Sequence, residues 1–493
     1  MVLEYIAQGF VNVLDPVVIG LMFIGILLGI LMGSIPGMTA TMTIAVLLSF
    51  TFTMEPANGM MLLLGIYGGA VYAGSIPAIL IRTPGTPSAA ATIFDGYPLS
   101  QNGDAGRAIR VSTVASFIGG VISVIALMFF SPVIANAALN FRSPEFFALA
   151  IFGLTIIASV SGDSLTKGMI SGLLGMLVAT VGIDPIMGYH RFTFNTPELL
   201  TGVEFIAVMI GLFGIAEGLR KYAGGIDEDQ ETIDQEITGL FPSLSDLRAI
   251  APVSTGSGIL GALIGAIPGA GGDIAAFITY NEATRWIKDA VPSFGDGNVR
   301  GVAAAESGNN ASTGGALIPT LTLGIPGDSV SAILIGALLV HDVNPGPGLY
   351  QDEPELLYTI FVGFFMIYVF ILLVGLLGAN YWARLINIPK QFLWPIILLL
   401  CVIGAIALRG NLFDAWVMLG AGLLGYAMRL RGYPLAPMVL GLILAPIAEV
   451  NLRRSLALSG GSPDVFLTSP LALVILLLSV VTILLPTARA LRA

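Results

Sequence analysis

The chain has 493 residues, 56% of them hydrophobic and only 11% charged. A water-facing surface needs about 25–35% charged side chains, so a soluble fold is excluded, and continuous apolar runs such as 467–485 exclude the alternating strands of a membrane β-barrel. The net charge is 21 − 31 = −10, but six of the ten residues at 227–236 are acidic, so the acidity is local and excludes a nucleic-acid binder.

In chain order, the N-terminal MVLEYIAQGFVNVLDP carries Glu4 and Asp15 without a basic residue. It lacks the basic n-region of a cleavable signal, so the first helix is expected to stay in the mature protein. Apolar runs approaching the ~20 residues that cross a hydrocarbon core predict helices over 17–35, 111–135, 144–161, 168–186, 202–219, 252–267, 356–383, 392–408, 413–428, 433–449 and 467–486. The fold class is therefore an all-α, polytopic integral membrane protein. Its one cysteine, Cys401, lies in LLLCVIGAIAL and leaves neither a disulfide nor a cysteine metal site within one chain.

Two stretches, 36–94 and 268–345, fit no ordinary span, being apolar on average yet dense in Gly, Pro, Ser, Thr and Asn. They are related. LLGILMGSIPG (Leu27–Gly37) aligns with ILGALIGAIPG (Ile259–Gly269), sharing Leu28, Gly29, Gly33, Ile35, Pro36 and Gly37. GGA at Gly68–Ala70 followed by TPGTPSAA at Thr83–Ala90 then aligns with GGA at Gly314–Ala316 followed by IPGDSVSA at Ile325–Ala332. The chain thus reads as a first half over 1–220, an acidic connecting loop over 221–251, expected to be cytoplasmic, and a second half over 252–493. Duplicated halves with Gly/Pro-interrupted apolar segments point to the binding site of a secondary transporter. Arg107/Arg110, Arg220/Lys221/Arg248, Arg384/Lys390, Arg429/Arg431 and Arg489/Arg492 would face the cytoplasm, which favours inverted repeats, with Arg453/Arg454 fitting poorly.

The breaks fall at Pro36–Gly37, Pro84–Gly85, Pro268–Gly269 and Pro326–Gly327. Proline removes an N–H and glycine permits non-helical angles, leaving half-helices with free donors at one end and free carbonyls at the other. Such backbone survives in a bilayer only when buried in protein or lining a wet cavity, so the four breaks imply a shared polar centre. Half-helix N-termini suit carboxylates and carbonyl ends suit Na⁺ or a proton-carrying water. Thr39, Thr41, Thr86, Ser88 and Ser329 supply hydroxyls there, and Asn309, Asn310 and Thr313 supply polar groups from the run AAESGNNASTGGALIP. Arg82 is the one early cation and a candidate partner for a substrate carboxylate, or else a snorkelling helix-end residue or a structural partner of Asp95. Asp273, Glu306 and Asp328 are candidates for the coupling cation, with helix capping the competing role for Asp273 and Asp328. His190 and His341 lie in different loop contexts, and no HExxH, GxSxG or phosphate-binding loop is present, so the chain reads as a carrier rather than an enzyme. A membrane-embedded enzyme and a passive anion channel are the alternatives.

GSIPGMTATM (Gly33–Met42), ILIRTPGTPSAAATIFDGYPLSQNGDAGRA (Ile79–Ala108), IGAIPGAGGDIAAFITYNEA (Ile264–Ala283), GVAAAESGNNASTGGALIPTLTLGIPGDSVSAILIGALLVH (Gly301–His341) and the following NPGPGL resemble the large membrane subunit of the tripartite tricarboxylate transporter family. The resemblance spans most of the chain. It implies a bacterial inner-membrane symporter whose path is formed by this subunit, with a small four-helix membrane subunit and a periplasmic solute-binding protein as partners. It further implies di- or tricarboxylate (citrate-like) substrates driven by Na⁺ or H⁺, with no other cofactor. Arg82 departs from the family, where an uncharged residue, often Asn, is expected. Twelve crossings, as the family is often drawn, would put both termini on one side, whereas the Lys/Arg distribution puts the N-terminus outside and the C-terminus inside.

Overall fold

Apolar periodicity interrupted by glycine and proline produces helices of very unequal length. The structure is a computed structural model that describes residues 2–155, 164–223, 239, 241–268, 271–384, 390–407 and 409–490. In chain order its helices are α1 (Val2–Val13), α2 (Pro16–Gly33), α3 (Ala40–Leu47), α4 (Pro56–Ala73), α5 (Ser75–Ile81), α6 (Ile93–Leu99), α7 (Ala105–Ala138), α8 (Ser143–Thr155), α9 (Leu165–Ala179), α10 (Phe205–Met209) and α11 (Ala216–Ala223). They continue with α12 (Leu244–Gly265), α13 (Gly271–Trp286), α14 (Val299–Leu323), α15 (Ser329–Val340), α16 (Leu349–Asp352), α17 (Pro354–Arg384), α18 (Lys390–Ala407), α19 (Leu412–Leu430), α20 (Ala436–Leu458), α21 (Val465–Thr468) and α22 (Pro470–Ala490). Six helical stretches among the described residues are long and apolar enough to cross a membrane: 16–33, 56–81, 87–138, 244–265, 354–382 and 436–458.

The chain forms two compact units, Met1–Ile134 with Gly224–Leu400, and Ala135–Ala223 with Cys401–Ala493. Each draws on both sequence halves, so compactness divides the chain differently from the internal alignment. In the first unit the reason is α14, a second-half helix embedded among first-half elements. A Cβ on Gly119 of α7 would lie 2.1 Å from Ser307 O, and one on Gly301 would lie 1.8 Å from Asp95 Oδ2.

Glycine rows set the closest approaches in this unit. Cβ atoms on Gly25, Gly29 and Gly33 of α2 would stand 2.3, 2.5 and 2.4 Å from the carbonyl oxygens of Leu62, Ile66 and Ala70 in α4. On α12, those of Gly261 and Gly265 would stand 2.4 Å from the carbonyls of Gly308 and Ser312 in α14. Small residues let membrane helices approach this closely, and the aligned glycines Gly29/Gly261 and Gly33/Gly265 do the same work in both pairs.

In the second unit α9 packs on α20 through Gly175 against Met438 O and Gly441 against Gly172 O. Buried Glu217 holds Arg220 and Arg429, each at 2.5 Å, and Arg409 pairs with buried Asp414 at 2.5 Å. The helix expected over 168–186 ends at Ala179, and a short antiparallel hairpin, β1 (Gly182–Ile183) with β2 (His190–Arg191), follows. The cause is local: Gly182 adopts φ 125°, and Asp184 Oδ1 folds the chain back by accepting from the N–H groups of Ile186 and Met187 at 2.9 and 2.7 Å. Arg453, a misfit in the charge pattern, bonds Asp184 at 2.8 Å and Glu449 at 2.9 Å.

The segment read as a connecting loop over 221–251 is helical from Leu244. Ser243 Oγ caps that helix by accepting from Asp246 N at 3.1 Å. The acidic residues 227–236 lie outside the described residues.

Candidate functional site

Each Pro-Gly pair interrupts a helix. Pro36–Gly37 separates α2 from α3, Pro84–Gly85 follows α5, Pro268 follows α12, and Pro326–Gly327 separates α14 from α15. Gly269 lies outside the described residues. The interruptions lie close together. A Cβ on Gly85 would sit 2.0 Å from Gly33 O, one on Gly271 would sit 3.5 Å from Asp328 Cβ, and Tyr67 Oη of α4 donates to Asp328 Oδ2 at 2.5 Å.

The centre of this zone is α14. The run AAESGNNASTGGALIP is a buried stretch of helix, with every residue from Gly301 to Thr322 buried. Such a helix needs partners on all sides for its polar groups, and most have them. Thr313 Oγ1 donates to Asn310 O and shares a hydrogen bond with Tyr368 Oη, both at 2.7 Å. Ser307 Oγ donates to Ser254 O at 2.6 Å. Asn310 Nδ2 donates to Ser116 Oγ at 2.9 Å and to Glu306 O at 3.0 Å, while its Oδ1 has no protein partner.

Asn309 is the exception among the candidates: it is 1% exposed, and neither Oδ1 nor Nδ2 is bonded to a described residue. Its surroundings explain what those atoms face. A Cβ on Gly272 would lie 2.8 Å from Asn309 Oδ1, 3.0 Å from Ser312 Oγ and 3.5 Å from Ser88 Cβ. Glycine at 272 thus lets the first turn of the 16-residue α13 close on Ser88, Asn309 and Ser312 in a tight polar cradle that has no room for a Cβ. The first N–H groups of a helix have no intrahelical acceptor and favour negative charge. Ser88 Oγ pairs with Thr86 Oγ1 at 3.2 Å, so both hydroxyls after the second break reach this region.

Glu306, one turn earlier on α14, is fully buried. Thr92 Oγ1 donates to its Oε1, and Ser116 Oγ donates to its Oε2 at 3.3 Å. No Lys, Arg or His among the described residues forms an ion pair with it. Asp95 is also fully buried, but its partners account for it. Oδ1 accepts from the N–H groups of Gly295, Gly297 and Asn298 at 2.8, 3.1 and 2.7 Å, and Oδ2 accepts from Tyr280 Oη at 3.0 Å. That arrangement pins the loop leading into α14 and leaves no bond to Arg82.

Asp328, Thr39 and Arg82 have other surroundings. Asp328 caps α15 in a reciprocal box, accepting from Ser331 N at 2.7 Å while Asp328 N donates to Ser331 Oγ at 2.9 Å. Thr39 caps α3 by accepting from Met42 N at 3.2 Å. Thr41 and Ser329 are half-buried near their breaks. The side chain of Asp273 is outside the described residues, although its backbone belongs to the first turn of α13. Arg82 is exposed, lies 5.8 Å from the centroid of the Tyr97 ring and lines a separate cleft of about 740 Å³. Ser116, Thr92, Gly272 and Tyr67 are not singled out by the sequence. Thr92 sits four residues past Ser88 and shares its polar run, but nothing in the local pattern of Ser116 or Tyr67 distinguishes them from packing residues.

Helices too apolar for water, interrupted around a buried polar interior, define a multi-pass helical membrane protein. A family model described as the Tripartite tricarboxylate transporter TctA family matches residues 19–440, and the chain belongs to that family. It is therefore a component of a tricarboxylate transporter, in a family of transporters rather than enzymes. A relative from Agrobacterium vitis, described as an uncharacterized 52.8 kDa protein in the TAR-I ttuC' 3'region, is 37% identical over 491 residues, 99% of this chain and 97% of its own length. A second from the same organism, described as an uncharacterized protein in the TAR-II ttuC' 3'region, is 34% identical over 235 residues, 47% of this chain and 97% of its own length. No solved structure matches.

Proposed function

We propose that this chain forms the translocation path of a secondary carrier for a di- or tricarboxylate such as citrate, working by cation-coupled symport in a bacterial inner membrane. The observation that carries the reading is Asn309, a buried carboxamide without a partner among the described residues beside the first turn of α13. A carboxylate seated there would accept from Asn309 Nδ2, with the carboxamide turned so that Oδ1 leaves Gly272, and from the first N–H groups of α13, a combination suited to anions. Ser88, Ser312 and Thr86 line the same seat, while Asn310 and Thr313 hold α14 against α7 and α17.

The coupling ion, Na⁺ or H⁺, would be taken by the carboxylates nearest the breaks. Glu306 is the first choice, because a fully buried carboxylate served only by hydroxyls is stabilised by a bound cation. Asp328 and Asp273 are the alternatives at the third and fourth breaks. In keeping with its family, the chain would work with a small four-helix membrane subunit and receive substrate from a periplasmic binding protein.

The test is citrate uptake into proteoliposomes containing the assembled transporter and its binding protein. Wild type should concentrate citrate against its gradient, and Asn309→Ala should lower uptake about tenfold or more, the value of a hydrogen bond to a charged group. Equilibration without accumulation would make the chain a channel, and chemical conversion of citrate without a gradient would make it an enzyme.

A further inference from the structure

The TPG and IPG breaks align, so Arg82, just before the first, occupies the position of Gly324, just before the second. The two backbones match. Thr83 N bonds Pro77 O, and Ile325 N bonds Pro319 O, each at 3.3 Å. Arg82 has φ 55° and ψ 21°, and Gly324 has φ 68° and ψ 21°. This is the left-handed turn that ends a helix, which glycine adopts freely and which crowds the Cβ of any other residue. An arginine there carries strain that its equivalent in the second segment avoids.

Packing does not account for it. The side chain is exposed, and no carboxylate among the described residues lies within ion-pair distance of it, Asp95 being occupied by Tyr280 and three backbone amides. The guanidinium instead stands over Tyr97 and lines the cleft of about 740 Å³ together with Phe94, Gln101, Tyr280 and Asn281. Among the described residues, Arg82 is the only charged one in that lining, and none of those in the lining belongs to the Asn309 seat. A ring beside the guanidinium supports the cation without using up its N–H donors, and a guanidinium with free donors can grip a carboxylate in two parallel bonds. Gln101 and Asn281 add amide donors within the same walls.

We infer that the Arg82 cleft is a second carboxylate-binding site, separate from the Asn309 seat, that captures the anionic solute and sets the apparent affinity of transport. The inference rests on the carrier reading for its role in uptake but not for binding itself.

The test uses the full chain with its partner components and compares wild type with Arg82→Gly, Arg82→Asn and Arg82→Lys. Glycine and asparagine both accept the left-handed turn, so those variants should keep or raise the thermal midpoint of the purified protein. They should raise the citrate KM of uptake by about tenfold or more, with kcat falling less, as expected for loss of a charge-assisted bidentate contact; lysine should restore part of the affinity. Radiolabelled citrate binding to detergent-purified protein should fall from two molecules per chain to one in Arg82→Gly, a readout that stands even if wild type fails to accumulate citrate. An unchanged citrate KM and binding stoichiometry in both uncharged variants would overturn the site. So would an unchanged KM with loss of a phosphatidylglycerol-dependent rise in thermal midpoint, which would assign the cleft to a lipid phosphate.

Discussion

A buried amide without partners and a carboxylate with too many donors are opposite ways of using a polar side chain. Leaving a buried donor or acceptor unmade costs roughly 1–3 kcal/mol, so Asn309 is a local loss of stability that a ligand can recover. Its replacement by alanine should therefore damage transport without lowering the thermal midpoint. Asp184 shows the other extreme. The N–H groups of Met187 and Ile186, followed by the Arg453 guanidinium, hold its carboxyl down from 3.8 to about 2. The sign follows from the direction: the folded chain favours the carboxylate, so its contribution is complete above about 3.8 and is lost as pH falls through about 2. Hydrogen exchange at the amides of Ile186 and Met187 should accelerate over that interval, and Asp184→Asn, which removes the titration, should exchange at a rate independent of pH there once intrinsic chemistry is subtracted.

At the scale of elements, the helix pairs α2/α4 and α12/α14 depend on having no side chain at the contact. Gly261 and Gly265 press on the backbone carbonyls of Gly308 and Ser312, which cannot swing aside as a flexible side chain would. Gly261→Val or Gly265→Val should cost about 1–3 kcal/mol each by overpacking. Because α14 carries Asn309 and Glu306, the loss should also appear as reduced citrate binding. Gly20 of α2 supplies the control, since nothing lies within 4 Å of a Cβ there. Gly20→Ala should leave the thermal midpoint unchanged or slightly higher, which thermal unfolding followed by intrinsic fluorescence would read directly.

At the scale of the whole molecule, the proposed carrier would join two kinds of buried site on one helix, a seat for an anion at Asn309 and a seat for a cation at Glu306. Removing the carboxylate charge while keeping its shape should separate the two. Glu306→Gln keeps one acceptor oxygen, for either Thr92 or Ser116, puts an NH2 donor at the other position, and carries no charge with which to bind or release a cation. Citrate counterflow between equal pools should therefore persist within about threefold of wild type, while accumulation driven by a proton or Na⁺ gradient should fall about tenfold or more. Retention of gradient-driven accumulation in Glu306→Gln would transfer coupling to Asp273 or Asp328.

Composition alone establishes the membrane class, because a chain with 11% charged residues cannot cover a water-facing surface. Chain order alone locates the breaks, because proline and glycine act on their own backbone. What no local pattern carries is which neighbour each polar side chain meets. Asn309 and Asn310 are adjacent in sequence, but a helix turns about 100° per residue, sending one to the cradle beside Gly272 and the other to Ser116. Since every residue from Gly301 to Thr322 is buried, hydrophobic periodicity offers no face by which to tell them apart. Asp95 likewise looks free to pair with Arg82 until the fold brings Tyr280 and the 295–298 amides against it. The low charge determines the solvent and the Pro-Gly pairs determine the interruptions, whereas contacts between residues as distant in the chain as Ser88 and Asn309 decide which few polar groups stay unpaired among the described residues.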